Sequence, residues 1–407
     1  MAGQAVDSNT ICRLIVMRIA FISLMYDAPW GGSEVLWSQT AGRALREGHN
    51  VMVSCYAWPQ PAKPIQQLAV AGARTHFRRR YEPTLRFRAI DWLTRLPRQS
   101  RLPEIDALRR FAPDVVVISQ GGWNDLIFHK QLHKWVQELP FLLICHNYHD
   151  PVRQDEAQRL RMIELFGQAR EVLMISCLQQ QVLRRQLAAP LLNTRVVQNP
   201  LHLPEQYPIP YPALPENGPV QLAVVGSFDV DRKGQDVLLE VLAAPNWRPR
   251  AWHLNLYGQG PDEVYLRRLI ALYGLQEHVT LHGHVSDSAT VWQNTHLLVV
   301  PSRIESGPMV VQEACLCGRP VAAADVGLVR TWVHEGITGF IADTASVYSL
   351  GKMMERAWSC RSEWADMAVV AAMYAQKHQM PDAAGDLLHH IEAAVTSLPA
   401  VDSDFGD

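Results

Sequence analysis

At 407 residues the chain exceeds the length at which one hydrophobic core keeps growing, so two domains are expected. Apolar residues make up 48% and charged residues 19%, an ordinary globular composition, and a net charge of −2 excludes bulk attraction to nucleic acid. No stretch approaches the roughly twenty uninterrupted apolar residues of a membrane span, because the patch Ile11 to Leu24 is cut by Arg13 and Arg18, which also ill suits a signal-peptide core.

Residues 1–16 read as an N-terminal extension ahead of a first strand, Arg18 to Ser23. Short apolar runs ending in small or turn residues then alternate with helical patterns: Asn50 to Ser54, Asp114 to Ser119, Phe141 to Cys145, Glu171 to Ser176 and Arg195 to Gln198. The second half continues with Val220 to Gly226, His253 to Gly258, His278 to Gly283, His296 to Val300, Pro320 to Ala323 and Gly339 to Ala342. Such alternation predicts an α/β protein with two doubly wound, Rossmann-like sheets of about six strands each, over 17–200 and 220–375. Seven prolines between Pro200 and Pro219 forbid helix and central strand, so 201–219 is expected to be a semi-rigid linker. Residues 376–397 are expected as C-terminal helices returning to the first domain, and 398–407 as a frayed acidic tail. The seven cysteines lack metal-ligand spacing and read as buried free thiols of a cytoplasmic protein; Cys315-Leu-Cys317 has no second pair to complete a metal site.

Ligands of open α/β sheets bind outside the carboxyl ends of the strands, so the loops there are the place to look for function. After the first strand, Gly31-Gly32 precedes a helix and lets backbone approach a phosphate, or simply makes a turn. His146 comes directly off the fourth strand and could hydrogen-bond a sugar hydroxyl or a transferring group near neutral pH, although a lone histidine is more often structural. The His146 and His149 spacing also suggests a metal, but no third ligand is placed nearby. Arg232 and Lys233 open a helix after the first strand of the second half, as diphosphate ligands or as a solvated cation pair. The stretch from Pro301 to Val321 is the most telling. Glu305 falls in a loop after a strand, and Glu313 lies more than a turn inside the helix begun by Pro308 and Met309. Two carboxylates so placed can hold different parts of one ligand, and the free amides of the first turn add an anion-binding point; a chance pair of glutamates is the plain alternative.

Taken together these segments resemble the retaining glycosyltransferases of the GT-B fold, in particular the large family 4. The resemblance runs from the Gly-Gly loop to Gly336-Ile-Thr-Gly339-Phe340, and its most specific element is Glu305 and Glu313 followed by Ala314 and Gly318-Arg-Pro-Val321. Lys233-Gly234, Tyr257-Gly-Gln-Gly260-Pro261, Gly283-His284-Val285 and Asn199-Pro200 fall in family order. The resemblance implies two Rossmann-like domains facing each other across a cleft, and a metal-independent, cofactor-free transfer with retention from a nucleotide-diphosphate sugar to a glycan, lipid-linked or small hydroxyl acceptor. By motif position it implies that Glu313 binds the ribose, Glu305 the donor sugar, and Lys233 with Arg232 the diphosphate. Gly32 offers backbone to the phosphate, as do the amides of Met309 and Val310; Gly283, His284 and Val285 read the base, and His146 faces the transferred sugar. Ser227 stands where the family usually has arginine, and Pro308 where an amide is common, so the phosphate side is altered.

From Arg74 to Arg110 eleven arginines face four acids, a local charge of +7 that leaves −9 for the rest. This segment is either a solvated pair of surface helices or a contact for anionic lipid at the inner face of the membrane, or for an anionic acceptor. Two other functions fit the same motifs: a sugar-nucleotide epimerase of this architecture, and a non-catalytic sugar-nucleotide-binding partner in a biosynthetic complex.

Overall fold

Uninterrupted aliphatic runs suit strands covered on both faces, and parallel sheets form from them. A computed structural model describes residues 16–26, 28–79, 103–147 and 155–396. One sheet holds β1 (Arg18–Ser23), β2 (Asn50–Tyr56), β3 (Arg74–Arg78), β4 (Val115–Gln120), β5 (Phe141–Cys145), β6 (Glu171–Met174) and β7 (Thr194–Val196), in the order β3-β2-β1-β4-β5-β6-β7. The other holds β8 (Val220–Val225), β9 (Trp252–Tyr257), β10 (Val279–Gly283), β11 (Leu297–Val300), β12 (Val321–Ala324) and β13 (Gly339–Ala342), in the order β10-β9-β8-β11-β12-β13. Each sheet grows in one direction from its first strand and then reverses: Ile19 pairs with Val51 on one side and Val115 on the other, and Leu222 with Leu254 and Leu297. The reversal between β1 and β4, and between β8 and β11, opens the crevice in which such sheets bind ligands.

The expected strands form within a residue or two of the predicted bounds. β3 is an addition, since Arg-Thr-His-Phe-Arg carries charge at both ends and lacks an apolar run; as an edge strand it needs only one covered flank. It also corrects the helical reading of the arginine-rich stretch at its start, while residues 80–102 of that stretch lie outside the described residues, as do 1–15, His149 and the tail 397–407.

By contacts the chain divides into one unit of residues up to Ile144, 164–172 and from Ala384, and another of 145–163 and 173–383. In the second unit, alternate residues of each central strand enter opposite cores. Leu222, Val224, Leu297, Val299, Ala322 and Ala324 pack with the helices Gln235–Leu242 and Val347–Ser359, whereas Ala223, Leu298, Val300, Val321 and Ala323 pack with Met309–Leu316 and Trp364–His378. In the first unit the last helix, Ala383–Thr396, is held by Thr40 Oγ1 donating to Ala384 O at 3.3 Å and by His390 Nδ1, 2.6 Å from Glu171 Oε2. No helix among the described residues is long and apolar enough to cross a membrane.

The proline-rich segment forms neither helix nor strand, yet Leu201, Leu203, Tyr207 and Ile209 pack on the second core. Arg319 is its anchor. With no exposed surface, its guanidinium donates to Trp292 O (2.9 Å), Cys317 O (2.9 Å), Gly318 O (2.7 Å), Ile209 O (3.0 Å) and Pro210 O (3.0 Å). Burial pulls its pKa down to about 10, which leaves it charged at neutral pH, held by carbonyl dipoles and by the Tyr211 ring, whose centre lies 5.6 Å from the guanidinium carbon. Only a planar fork with five donors satisfies that set. Arg319→Lys, which keeps the charge and loses the fork, is expected to cost about 3 kcal/mol or more, two charge-assisted bonds' worth; a melting temperature within a degree of the parent would refute the anchor.

Candidate active site

The loop after β8 is fixed before any ligand arrives. Asp229 Oδ1 accepts from Arg232 N at 3.4 Å and so caps the short helix Val230–Lys233, while Asp262 Oδ2 accepts from Val230 N at 2.9 Å. Gly234 ends that helix at φ +65°, and a Cβ there would lie 2.1 Å from Pro301 O. The contact draws the loop after β8 against the loop after β11, where Arg303 N and Ile304 N both donate to Arg232 O at 2.8 and 3.2 Å. Arg303 then clasps both oxygens of Asp236 at 2.8 Å each. Held between these bonds, Lys233 Nζ ion-pairs with Glu305 Oε1, and Ser302 Oγ donates to the same oxygen at 3.1 Å. Lys233 keeps 21% of its side chain exposed and Glu305 10%. An ammonium and a carboxylate therefore meet at the switch point of the second sheet. Ser227, exposed, offers only its carbonyl inward, to Gln235 Nε2 at 2.8 Å, and the Arg232 side chain is half-buried.

Glu313 is nearly closed off, and its Oε1 accepts from His202 N at 3.0 Å. Burial raises its pKa, with that hydrogen bond pulling it back. The imidazole of His202 reaches Ser286 O at 2.9 Å, beside the Gly283-His284-Val285 turn, in which His284 is exposed and Val285 packs on the core. Pro308 stands just before the helix Met309–Leu316, and its carbonyl takes the Val311 amide at 3.1 Å, which leaves the amides of Met309 and Val310 at the start of that turn. Sequence reasoning missed Ser302, Arg303, Asp262 and the Glu313 contact of His202, all of which depend on distant partners.

The remaining predicted residues stand on the other sheet. Gly32 is exposed immediately before the helix Ser33–Arg46, and His146 is buried at the end of β5. Burial pushes the His146 pKa down to about 3, so the ring stays neutral at physiological pH and can hydrogen-bond without taking up a second proton. Two residues past Gly32, Glu34 was overlooked: it is 4% exposed, and burial drives its pKa up to about 7 against the opposing pull of Ser23, Trp37 and Arg78.

Among the described residues one group has metal-ligand spacing, Glu47, His49 and Glu392. Met17 N donates to His49 Nδ1 at 3.2 Å, which puts the neutral ring's proton on Nε2, toward Glu392 Oε1 at 3.6 Å. Its Nδ1 is held as a structural acceptor, while its buried Nε2 has no hydrogen-bond partner among the described residues. Burial pushes the thiols of Cys315 and Cys317 up to about 12.

Two Rossmann-like sheets, the second bearing paired charges at its switch point, define the GT-B fold. Residues 219–359, which hold all six strands of the second sheet, match the family model of glycosyl transferases group 1. The chain is 30% identical over 126 residues to the alpha-D-kanosaminyltransferase of Streptomyces kanamyceticus, covering 30% of this chain and 33% of that one. It is 30% identical over 138 residues to the D-inositol 3-phosphate glycosyltransferase of Arthrobacter sp. (strain FB24), covering 33% of each. The matches thus span about a third of these curated relatives. In fold it is similar to Anabaena Alr3699/HepE in complex with UDP (TM-score 0.69, 18% identity, 94% of this chain and 100% of that one) and to sucrose-phosphate synthase from Thermosynechococcus elongatus (TM-score 0.69, 20% identity, 93% and 100%).

The Glu34 carboxyl has a measurable signature. Its folded pKa of about 7 lies above the ordinary 4.5, so the native state binds more protons between those values and stability falls as pH rises through that window. Glu34→Gln removes the penalty: at pH 8 the variant is expected to be more stable by on the order of 3 kcal/mol, with the gain vanishing below about pH 4.5. Denaturant titrations showing an equal difference at both ends of the range would contradict a buried, ionising Glu34.

Proposed function

We propose that the chain is a retaining glycosyltransferase that moves a sugar from a nucleotide-diphosphate sugar to a hydroxyl acceptor. The observation that carries this is the Lys233–Glu305 pair at the β8/β11 switch point, supported by the family match of the same domain. A donor diphosphate presents charge to an ammonium and its sugar presents hydroxyls to a carboxylate, and the two are adjacent here. Lys233, with Arg232 and the Met309 and Val310 amides, holds the diphosphate and stabilises the charge that grows as it leaves. Glu305 accepts from the donor sugar, Glu313 from the ribose through the oxygen that His202 does not engage, and backbone at Gly283 to Val285 reads the base.

The transferred sugar meets a His146 that is neutral throughout the physiological range and orients without taking protons. With no base supplied by that residue, the departing phosphate oxygen is the acceptor of the hydroxyl proton, a route consistent with retention, and Lys233 supplies the cation that such a transfer otherwise takes from a metal. The acceptor is a glycan, lipid-linked or small hydroxyl, and the arginines of 74–110 offer contact to an anionic surface. The UDP bound by Alr3699/HepE makes UDP the first nucleotide to try.

Lys233→Ala is expected to lower kcat/KM by about 10²–10³-fold, and Glu305→Gln by about 10²-fold. Turnover would be followed by mass spectrometry from UDP-sugar to free UDP plus glycoside. If both variants turn over like the parent, the site assignment fails; isomerised nucleotide-sugar without glycoside would replace transfer with epimerisation.

A further inference from the structure

One residue of the proline-rich segment holds two elements of the second sheet's ligand edge at once. His202 is exposed, while Leu201 and Leu203 on either side pack on the second core, so its main chain is fixed whatever side chain it carries. Its amide donates to Glu313 Oε1 at 3.0 Å, and its imidazole Nε2 lies 2.9 Å from Ser286 O. A carbonyl oxygen only accepts, so Nε2 carries the ring's proton and donates.

The two partners belong to different elements. Glu313 lies in the helix Met309–Leu316, and Ser286 ends the turn that follows β10. That turn begins with Gly283 at φ +73°, whose carbonyl accepts from Gly258 N at 2.8 Å. β10 is an edge strand with β9 as its neighbour, and its register slips between Leu281 and Gly283, so strand pairing does not fix what comes after. Beyond the turn Asp287 caps the helix Ser288–Gln293, its Oδ1 accepting from Ala289 N at 2.9 Å. An exposed ring contributes little by burial. What the His202 bond fixes is the spacing between this turn and Glu313. On the donor reading Glu313 faces the ribose and the turn faces the base, whereas Lys233 and Glu305 face the diphosphate and the sugar. The bridge therefore bears on one half of the ligand.

We infer that His202 is a positioning residue for the nucleoside half of the donor. Its imidazole, acting through Ser286 O, holds the base-reading turn at a set distance from the ribose carboxylate, and so governs affinity for the nucleoside and not for the diphosphate. The inference rests on the donor reading of this site.

Isothermal titration and ligand-observed NMR on the full chain separate the two halves, using whichever of UDP, GDP and ADP binds tightest, its nucleoside, and inorganic pyrophosphate. His202→Ala and His202→Phe, which lack the donor, are each expected to weaken the nucleoside and its diphosphate about fivefold, the worth of one hydrogen bond. Pyrophosphate affinity is expected to stay at the parent's value, which also shows the fold intact. His202→Gln, whose amide can donate to Ser286 O, should remain within about twofold of the parent. Lys233→Ala should show the converse, weakening pyrophosphate and the nucleoside diphosphate and sparing the nucleoside. Nucleoside affinity unchanged in His202→Ala, retained in His202→Phe, or lost together with pyrophosphate overturns the inference. With the His202 effects present and Lys233→Ala silent, the diphosphate assignment fails and the bridge stands. A parent that binds none of the three diphosphates sinks the donor reading, and the inference with it.

Discussion

Three glycines with no room for a side chain set the geometry of the second sheet's ligand edge. A Cβ on Gly258 would lie 1.8 Å from Gly226 O, on Gly260 2.3 Å from Phe228 O, and on Gly234 2.1 Å from Pro301 O. The loop after β8 is thereby pressed between the loops after β9 and β11, backbone against backbone. Real side chains never occupy such gaps, so any substitution pushes the loops apart. Everything polar at the site inherits its position from that contact. Arg232 O receives two amides from the β11 loop, Arg303 closes on Asp236, and Lys233 meets Glu305. The charge pair is a consequence of backbone packing, and this is why neither partner needs a long flexible reach.

A second constraint supports it from below. Arg319 binds Ile209 O and Pro210 O, fixing the proline-rich segment on the sheet, and the same segment brings His202 N to Glu313 Oε1. A buried cation, a segment without regular structure and a helix carboxylate thus form one connected arrangement. Prolines contribute by having few conformations to lose on docking. Because Arg319 is satisfied by carbonyls and not by a carboxylate, its grip does not compete with Glu313 for charge.

Most of the fold was legible because the physics that makes it is local. Parallel strands buried on both faces are apolar runs, and β1, β5 and β13 begin and end where those runs do. β3 was illegible because its residues are Arg-Thr-His-Phe-Arg and its strand character comes from pairing with β2, with Met52 opposite Arg74. Within the site, Glu305, Glu313 and Lys233 could be read because their spacing along single loop-helix units is short range. Ser302 was passed over beside them, since serine in a loop carries no distinguishing pattern. Arg303 and His202 take meaning only from Asp236 and Glu313, 67 and 111 residues away. Glu34 is the sharpest case. In sequence it is an acidic residue in a first helical turn, where the dipole favours a carboxylate at the surface; burial, which no spacing reveals, gives it the opposite electrostatics.

Three carboxyl groups therefore hold three different states in one chain. Glu305 is paired with an ammonium, and under the proposed transfer a diphosphate would compete for Lys233 and leave Glu305 open to hydroxyl donors. Glu313, raised by burial and steadied by a backbone amide, changes little when a ligand engages its second oxygen. Glu34 sits at about 7 because burial outweighs the opposing pull of Ser23, Trp37 and Arg78. The ordering follows from desolvation against compensation: Glu305 has a counter-charge in contact, Glu313 a single backbone amide, and Glu34 only weaker side-chain partners against nearly complete burial.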